Sequence, residues 1–208
     1  ETDREIALTY HFEISGLSSF FPQWFIKKPL GRSFKNDRVF KELVFSLGMT
    51  ELVSYWKITC APTVKVLCRK LSEKQIGFWK ELYFSGLGEF FYRNGIDASR
   101  DDFMEIVSLG ENQTGDERRV TESDRCLIAI GGGKDSIVSL EVLKSNFENN
   151  YCYIINPRGA TLKTAQTAGY DDEKIISFRR TLDKNMLELN KQGYLNGHTP
   201  FSAIVAFS

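Results

Sequence analysis

Apolar and polar residues alternate with two different periods in the first part of the chain. Residues 6–14 alternate at period two, which predicts a β-strand. Apolar residues between positions 39 and 59 fall roughly on one helical face, which predicts a helix. Gly48 lies inside this helix and marks a point where it can kink or break.

A second helix and an aromatic-rich segment follow. Ser72 and Gln75 stand at capping-box spacing, which predicts a helix that begins there and ends near Gly86. Residues 89–94 then carry three adjacent aromatic side chains. Aromatic residues bury large apolar areas, so this segment predicts a packed core rather than a stacking surface for bases or sugars.

The second half of the chain alternates between predicted strands and helices. The strands are expected at 125–130, 151–156 and 174–178, and the helices at 137–144, 162–168 and 182–192. This order is typical of a doubly wound parallel sheet with right-handed crossovers. The predicted fold class is therefore α/β, with an aromatic-rich α+β domain followed by a doubly wound parallel-sheet domain.

The distribution of aromatic residues divides the chain into two predicted domains. Twelve of the 16 phenylalanines and all three tryptophans precede residue 110, and a polar, glycine-flanked stretch follows. We therefore expect an aromatic-rich domain over 1–110, a linker over 111–124 and an α/β domain over 125–208. The sequence stops within an apolar run, from which we expect the second domain to be incomplete and the protein to be longer.

Charge, hydropathy and cysteine usage exclude several classes of protein. The 208 residues contain 27 Lys plus Arg and 27 Asp plus Glu, and this zero net charge argues against a nucleic-acid partner. The apolar runs are far shorter than the roughly 20 residues of a membrane span, so no membrane partner is expected. The four cysteines form no CxxC pair, which predicts reduced thiols and a cytoplasmic protein. None of these features indicates how many copies of the chain associate.

The junction between the first strand and the first helix of the second half carries the strongest chemical signal. It consists of Gly131, Gly132, Gly133, Lys134, Asp135 and Ser136. Glycines let the backbone turn tightly and aim N–H groups at a ligand, and the following helix adds its positive N-terminus. Lys134 adds a charge and Ser136 a hydroxyl, while Asp135 either holds Mg²⁺ against a phosphate or caps the helix. The junction predicts a pyrophosphate cradle.

Two common phosphate-binding motifs do not fit this loop. A Walker A loop needs a glycine where Ile128 stands and Ser or Thr after the lysine, and the dinucleotide fingerprint needs a glycine where Ser136 stands. The loop instead resembles the PP-loop of the ATP pyrophosphatases, Ser-Gly-Gly-x-Asp-Ser, with Gly131 replacing the first serine. This resemblance implies cleavage of ATP between its α- and β-phosphates, with AMP transferred to an acceptor oxygen.

Further polar residues are predicted near the same edge of the sheet. Arg179 and Arg180 lie at the carboxyl end of the third strand, where they either bind an anion or form a solvated pair. Asn196, His198 and Thr199 surround a turn that opens the final helix. Thr199 is expected to cap that helix or to contact a ligand, and His198 is a candidate catalytic residue.

Four stretches together resemble the UDP-N-acetyl-muramoyl-L-alanyl-L-glutamate epimerase family: residues 47–57, 86–92, 130–136 and 196–201. The resemblance implies an ATP- and Mg²⁺-dependent isomerase of peptidoglycan precursor synthesis, which converts the terminal L-glutamate of a UDP-muramoyl dipeptide to D-glutamate. It implies that the substrate carboxylate is adenylated, with release of AMP and pyrophosphate. Inversion then needs an acid–base pair, for which His198 is the one candidate found here. Asp135 is the expected catalytic and Mg²⁺-binding carboxylate.

Two alternatives keep the nucleotide but change the function. The first is a PP-loop enzyme that adenylates RNA during its modification, which the zero net charge and the lack of a CxxC pair disfavour. The second is a non-catalytic nucleotide-binding module whose aromatic N-terminal part contacts a partner.

Overall fold

The computed structural model describes residues 1–2, 4–27, 33–34, 36–111 and 123–208. Its strands are β1 Glu5–Thr9, β2 Phe12–Ile14, β3 Ser18–Phe20, β4 Gln23–Lys27, β5 Thr63–Val66, β6 Glu105–Ser108, β7 Cys126–Ala129, β8 Asn150–Ile155 and β9 Ile175–Thr181. Its helices are α1 Arg38–Trp56, α2 Glu73–Gly86, α3 Gly88–Asn94, α4 Lys134–Val142, the 3₁₀ helix Lys144–Asn149, α5 Gly159–Thr167, α6 Lys184–Lys191 and α7 Phe201–Phe207. Most of the predicted linker, residues 112–122, lies outside the described residues.

The main sheet is mixed rather than wholly parallel. In the described part of the chain it has five strands in the order β1-β4-β9-β8-β7. The parallel pairing of β7 with β8 and of β8 with β9 confirms the predicted βα units. The prediction of a doubly wound parallel sheet is wrong for the described residues, since β4 pairs antiparallel with β9 and β1 antiparallel with β4. A β-strand edge offers unpaired N–H and C=O groups, and the N-terminal strand β4 satisfies those of β9.

The main sheet belongs to the first of two compact units. This unit comprises Glu1–Thr9, Pro22–Arg38 and Arg119–Thr181. Its core combines side chains from the parallel strands with others from α4 and α5, namely Ile128, Ile130, Leu140, Cys152, Ile154, Ala165, Tyr170 and Ile175. Because both helices contribute to this cluster, the strand–loop–helix junctions are fixed by the core beneath them.

The second compact unit comprises Tyr10–Phe21, Val39–Arg118 and Leu182–Ser208. Its largest cluster is aromatic and includes Trp56, Trp79, Tyr83, Phe90 and Phe91, all less than 9% exposed. The aromatic residues of the first half therefore form a packed core here, as predicted. Both units are built from separate chain segments, and the domain limits 1–110 and 125–208 stay a prediction.

The predicted strand over 6–14 is broken between β1 and β2. At the break, the Tyr10 hydroxyl donates to the carbonyl of Val44 at 2.8 Å, and its ring lies over Gly48. A Cβ at Gly48 would come within 2.7 Å of that ring. Helix α1 is continuous through this position. Gly48 therefore serves a close approach of Tyr10 and does not break the helix.

The capping box predicted for the second helix is confirmed. The Ser72 hydroxyl accepts from the backbone N–H of Gln75, and the Gln75 side chain accepts from the backbone N–H of Ser72. Glycines with positive φ also follow α5 and α6, with φ of 93° at Gly169 and 92° at Gly193. Local chemistry therefore fixes these helix ends.

Two observations bear on the protein's environment. None of the helices in the described part of the chain is long and apolar enough to cross a lipid bilayer. The four cysteines form no disulfide in the structure.

Replacing Gly110 with alanine is expected to destabilise the protein strongly. A Cβ at this position would overlap the backbone nitrogen and Cα of Arg69, so main chain must move. We expect a loss of about 1–3 kcal/mol or more in the free energy of unfolding, measured by urea denaturation. Gly77→Ala is the control: it lies inside α2 with no heavy atom within 4 Å of the new Cβ. That change should stabilise by up to about 1 kcal/mol, and equal effects at both positions would contradict the prediction.

Candidate functional site

The glycine loop lies at the carboxyl end of β7, as predicted, and α4 begins directly after it at Lys134. Gly132 has φ of 83°, a left-handed conformation that favours glycine. A Cβ on Gly132 would stand only 3.2 Å from the backbone nitrogen of Thr161 in α5. The tight turn and the close approach of α5 therefore both require glycine at this position.

Ser136 stabilises the loop from within. Ser136 is 6% exposed. Its hydroxyl oxygen accepts from the N–H of Gly131 at 2.9 Å and from the N–H of Gly132 at 3.3 Å. The sequence predicted Ser136 as a hydroxyl donor toward a ligand. In the structure its oxygen is engaged by two loop amides, so these amides hold the turn in shape and are not directed at solvent.

Lys134 and Asp135 are the loop's exposed charges. Both side chains are 88% exposed, and Lys134 Nζ lies 2.5 Å from Asp135 Oδ1. The N-cap of α4 is Gly133, without a side-chain capping bond, so the alternative that Asp135 caps this helix is wrong. The first-turn N–H groups of a helix have no intrahelical partner. The start of α4 therefore combines these amides with one cation and one carboxylate.

A groove of about 360 Å³ adjoins the loop between α4 and α5. Its lining is mostly apolar, with Ile137, Leu140 and Ala160 among the residues, and Gly132 forms part of it. Ligand pockets of proteins begin at roughly this volume and usually have apolar walls with a few polar groups. The groove thus offers an apolar surface directly beside the charged start of α4.

A second tight turn follows β8 at the same edge of the sheet, and the sequence analysis missed it. Asn156 has φ of 51°, and its side-chain oxygen accepts from the backbone N–H of Arg180 at 2.7 Å. The available signal was the Asn156-Pro157 pair, because asparagine tolerates left-handed backbone and Asn-Pro favours turns. This turn leads into α5 and links the ends of β8 and β9.

Arg179 and Arg180 extend β9 beyond its parallel pairing with β8, which ends at Phe178. They lie at the carboxyl end of β9, as predicted, and pair there with β4. The guanidinium of Arg179 lies 4.3 Å from the centre of the Phe25 ring and 3.7 Å from the Glu5 carboxylate. The Arg179 guanidinium therefore already has two partners within the sheet, the Phe25 ring and the Glu5 carboxylate.

The turn with Asn196, His198 and Thr199 lies in the second unit, whereas the glycine loop lies in the first. The prediction that Thr199 caps α7 is wrong, since Pro200 occupies the cap position and no side chain caps the helix. The Thr199 hydroxyl instead accepts from the ammonium of Lys57 at 2.7 Å. The fixed φ of proline suits a helix start. Because Pro200 takes the cap position, the Thr199 hydroxyl is free of a capping role and contacts Lys57 instead.

Lys57 is the residue of this region that the sequence analysis did not assign. It is 4% exposed, and burial of a lysine requires that its ammonium donate to acceptors. The nearby Cys60 thiol has its pKa raised to about 11, because burial disfavours the thiolate more strongly than the Lys57 charge favours it. Its apolar sequence context, Tyr55-Trp56-Lys57, was the available signal that this lysine is buried.

The described residues contain no group of three or more His, Cys, Asp or Glu side chains that could hold a metal ion. Asp135 is the carboxylate that the glycine loop itself contributes. This fits Mg²⁺, which proteins commonly hold through one or two carboxylates plus phosphate oxygens and water.

Comparison with known proteins gives one consistent result. A family model described as the MurL N-terminal domain matches residues 1–208. Three curated relatives, each named UDP-N-acetyl-alpha-D-muramoyl-L-alanyl-L-glutamate epimerase, are also similar to this chain. The protein of Salinispora tropica is 36% identical over 152 residues, which are 73% of this chain and 32% of the relative.

The other two relatives give similar values. The protein of Micromonospora sp. is 34% identical over 153 residues, and that of Xanthomonas oryzae pv. oryzae is 30% identical over 153 residues. These alignments cover 73% of this chain but only 33% and 32% of the relatives. The chain thus spans about a third of the length of the curated relatives it matches. No solved structure matches significantly.

Replacing Ser136 with alanine should loosen the glycine loop. The change leaves the N–H groups of Gly131 and Gly132 without their present acceptor, and we expect a loss of about 1–3 kcal/mol in the free energy of unfolding. Ser139→Ala is the control, because that hydroxyl only donates to the Asp135 carbonyl within α4. Thermal unfolding of both variants checks the difference, and a Ser136→Ala variant as stable as the control would contradict the assigned role.

Proposed function

The chain belongs to the MurL N-terminal domain family, and we propose that it works in an ATP-dependent epimerase of peptidoglycan precursor synthesis. In this proposal the enzyme inverts the terminal L-glutamate of UDP-N-acetyl-muramoyl-L-alanyl-L-glutamate to D-glutamate. The observation that carries it is the glycine loop between β7 and α4, with Lys134 and Asp135 exposed, in a chain whose curated relatives bear the name of this epimerase.

The proposed use of ATP follows from the acidity of the substrate. A Cα–H beside an ionised carboxylate is a very weak acid, because its carbanion would add a second negative charge. Adenylation of the carboxylate neutralises that charge and makes an enolate accessible. Loss of the proton, its return on the opposite face and hydrolysis then complete the inversion, with AMP and pyrophosphate as products.

The glycine loop is the proposed binding site for the phosphates of ATP. A Cβ at Gly133 would have no heavy atom within 4 Å, so there is room for a ligand beside the backbone at the start of α4. The amides of the first helical turn and the ammonium of Lys134 provide positive potential there. Ser136 acts indirectly in this proposal, by holding Gly131 and Gly132 in the turn.

Asp135 is the proposed ligand of Mg²⁺. The ion would supply positive charge that neutralises the phosphates of ATP during transfer of AMP. Asp135 now pairs with Lys134 at 2.5 Å, so binding of a phosphate and a cation would give each residue a new partner of opposite charge. A carboxylate at this place would otherwise repel the phosphates.

Proton transfer and substrate contacts are proposed for the remaining candidates. His198 is half-exposed, and its accessible imidazole is proposed as the general base. Arg179, Arg180 and Asn196 are proposed to contact anionic or polar groups of the nucleotide or the dipeptide. Thr199 contributes through its bond to Lys57, which shapes the turn.

An assay with the full-length protein tests the proposed activity. Incubation with the L,L-precursor and ATP should yield AMP, pyrophosphate and D-glutamate in the product, detected by chromatography and chiral analysis after hydrolysis. Absence of both AMP and D-glutamate would contradict the proposal. ATP binding without turnover would instead favour a nucleotide-binding module, and tight, salt-sensitive binding of transfer RNA would favour an RNA-modifying enzyme.

The Asp135→Asn variant should lose most pyrophosphate release. The change keeps the size of the side chain but removes the charge proposed to hold Mg²⁺, and we expect at least about a hundredfold fall in kcat. Asp172→Asn is the matched control, an exposed aspartate in the turn before β9. Pyrophosphate release by Asp135→Asn at the rate of the control would remove Asp135 from the site.

A further inference from the structure

A buried lysine anchors the turn that carries His198. The ammonium of Lys57 donates to the carbonyl oxygen of Gly197 at 2.5 Å and to that of His198 at 3.2 Å. It also donates to the hydroxyl oxygen of Thr199 at 2.7 Å. The three acceptors belong to consecutive residues, so a single buried charge fixes the path of the turn.

Contacts from two other helices hold the same turn. Asn94 at the end of α3 donates from its side-chain amide to the carbonyls of Asn196 at 3.2 Å and of Phe90 at 2.8 Å. Pro200 packs directly against Gly86, where a Cβ would come within 2.6 Å of the proline ring. The backbone around His198 is therefore fixed by α2, by α3 and by the lysine that follows α1.

The side chain of His198 has a different environment from its backbone. It is 51% exposed, and its Nδ1 lies 3.9 Å from Oε2 of Glu89 in the first turn of α3. Glu89 also lies 3.8 Å from Arg93, one turn further along the helix. An anchored backbone with an accessible ring beside a carboxylate is the arrangement in which a histidine can exchange protons. Hydrogen bonds of catalytic groups are often long before substrate binds.

We propose that Lys57 and Glu89 are positioning residues for proton transfer by His198. Lys57 fixes the backbone of the turn. The Glu89 carboxylate, 3.9 Å from Nδ1, favours the tautomer that carries its proton on Nδ1, which leaves Nε2 as the base. This proposal rests on the proposed function. The sequence analysis found no partner for His198, and Glu89 supplies one.

Removal of the Cα proton transfers one proton and one electron pair among the groups named. The Cα–H bond of the adenylated glutamate breaks, its proton moves to Nε2 of His198, and its electron pair enters the activated carboxyl group as an enolate. The imidazole becomes an imidazolium, whose charge the Glu89 carboxylate stabilises. No oxidant or reductant takes part.

Lys174 provides a matched control for Lys57. Its ammonium also donates to two backbone carbonyls, those of Phe147 at 3.1 Å and Glu148 at 3.0 Å, and lies 4.7 Å from the Phe147 ring. It precedes β9, at the end of the strand opposite Arg179 and Arg180. Lys174 is partly buried, with a side chain 22% exposed, and a purely structural role for lysines that donate to backbone carbonyls predicts similar effects at both positions.

Histidine NMR of the 208-residue chain tests the positioning role without any assay of activity. The chain contains two histidines, His11 and His198, so the ring signals are readily assigned. Lys57→Met should shift the His198 ring signals and leave those of His11 in place, whereas Lys174→Met should move neither. Unchanged His198 signals in folded Lys57→Met would overturn the role of Lys57. If that variant does not fold, Thr199→Val removes one acceptor only and serves the same comparison.

The role of Glu89 has its own spectroscopic and kinetic readouts. At alkaline pH, the ring-nitrogen chemical shifts of His198 should show the Nδ1–H tautomer in the unmodified chain. The Glu89→Gln variant should no longer show this tautomer. In the full-length enzyme, Glu89→Gln should lower kcat for epimerisation at least about tenfold with KM for ATP unchanged. Glu81→Gln is the control. Glu81 lies on α2, and the change removes only its exposed ion pair with Arg100.

The outcomes separate the two proposals. If the unmodified enzyme does not epimerise, the proposed function fails, and the two NMR comparisons still decide the positioning of His198. If it epimerises and Glu89→Gln retains both the tautomer and the control's kcat, Glu89 does not position His198.

Discussion

The interaction on which the second unit depends most is the burial of the Lys57 ammonium against three consecutive acceptors of the turn before α7. A lysine at 4% exposure is tolerated only where its N–H groups are satisfied, so the chain must bring this turn to the end of α1. That requirement joins segments separated by about 140 residues in sequence. It also brings together two of the four stretches that resemble the epimerase family, 47–57 and 196–201.

Close approaches between elements impose the second constraint. Gly86 admits Pro200, Gly48 admits the ring of Tyr10, and Gly132 admits the backbone of α5. The nearest atom to a new Cβ would lie at 2.6 Å for Gly86, 2.7 Å for Gly48 and 3.2 Å for Gly132, so packing favours glycine at each position. Around the first two positions, burial of aromatic side chains supplies the apolar driving force, and the hydroxyls of Tyr10 and Tyr83 each donate to a carbonyl of α1. Burial raises the pKa of both hydroxyls well above the ordinary tyrosine value.

The glycine loop shows how polar residues divide structural and chemical roles. Ser136 is buried and holds two loop amides, whereas Lys134 and Asp135, its near neighbours in sequence, are almost fully exposed. The same division recurs at the His198 turn, where carbonyls and Thr199 face Lys57 while the imidazole remains accessible. In both places a buried polar group supports residues that stay available for a ligand.

The sequence alone determined the features that depend on local chemistry: the capping box of α2, the strand–glycine-loop–helix junction, the βα units and the aromatic core. Each is set by residues close in the chain, through periodicity, capping and backbone freedom. Tertiary structure decided the pairing of β4 with β9, the inward role of Ser136, the loss of Thr199 as a cap and the contacts of Lys57 and Glu89. These depend on which distant segments meet, and a buried lysine or a free strand edge takes the partner that the whole fold supplies.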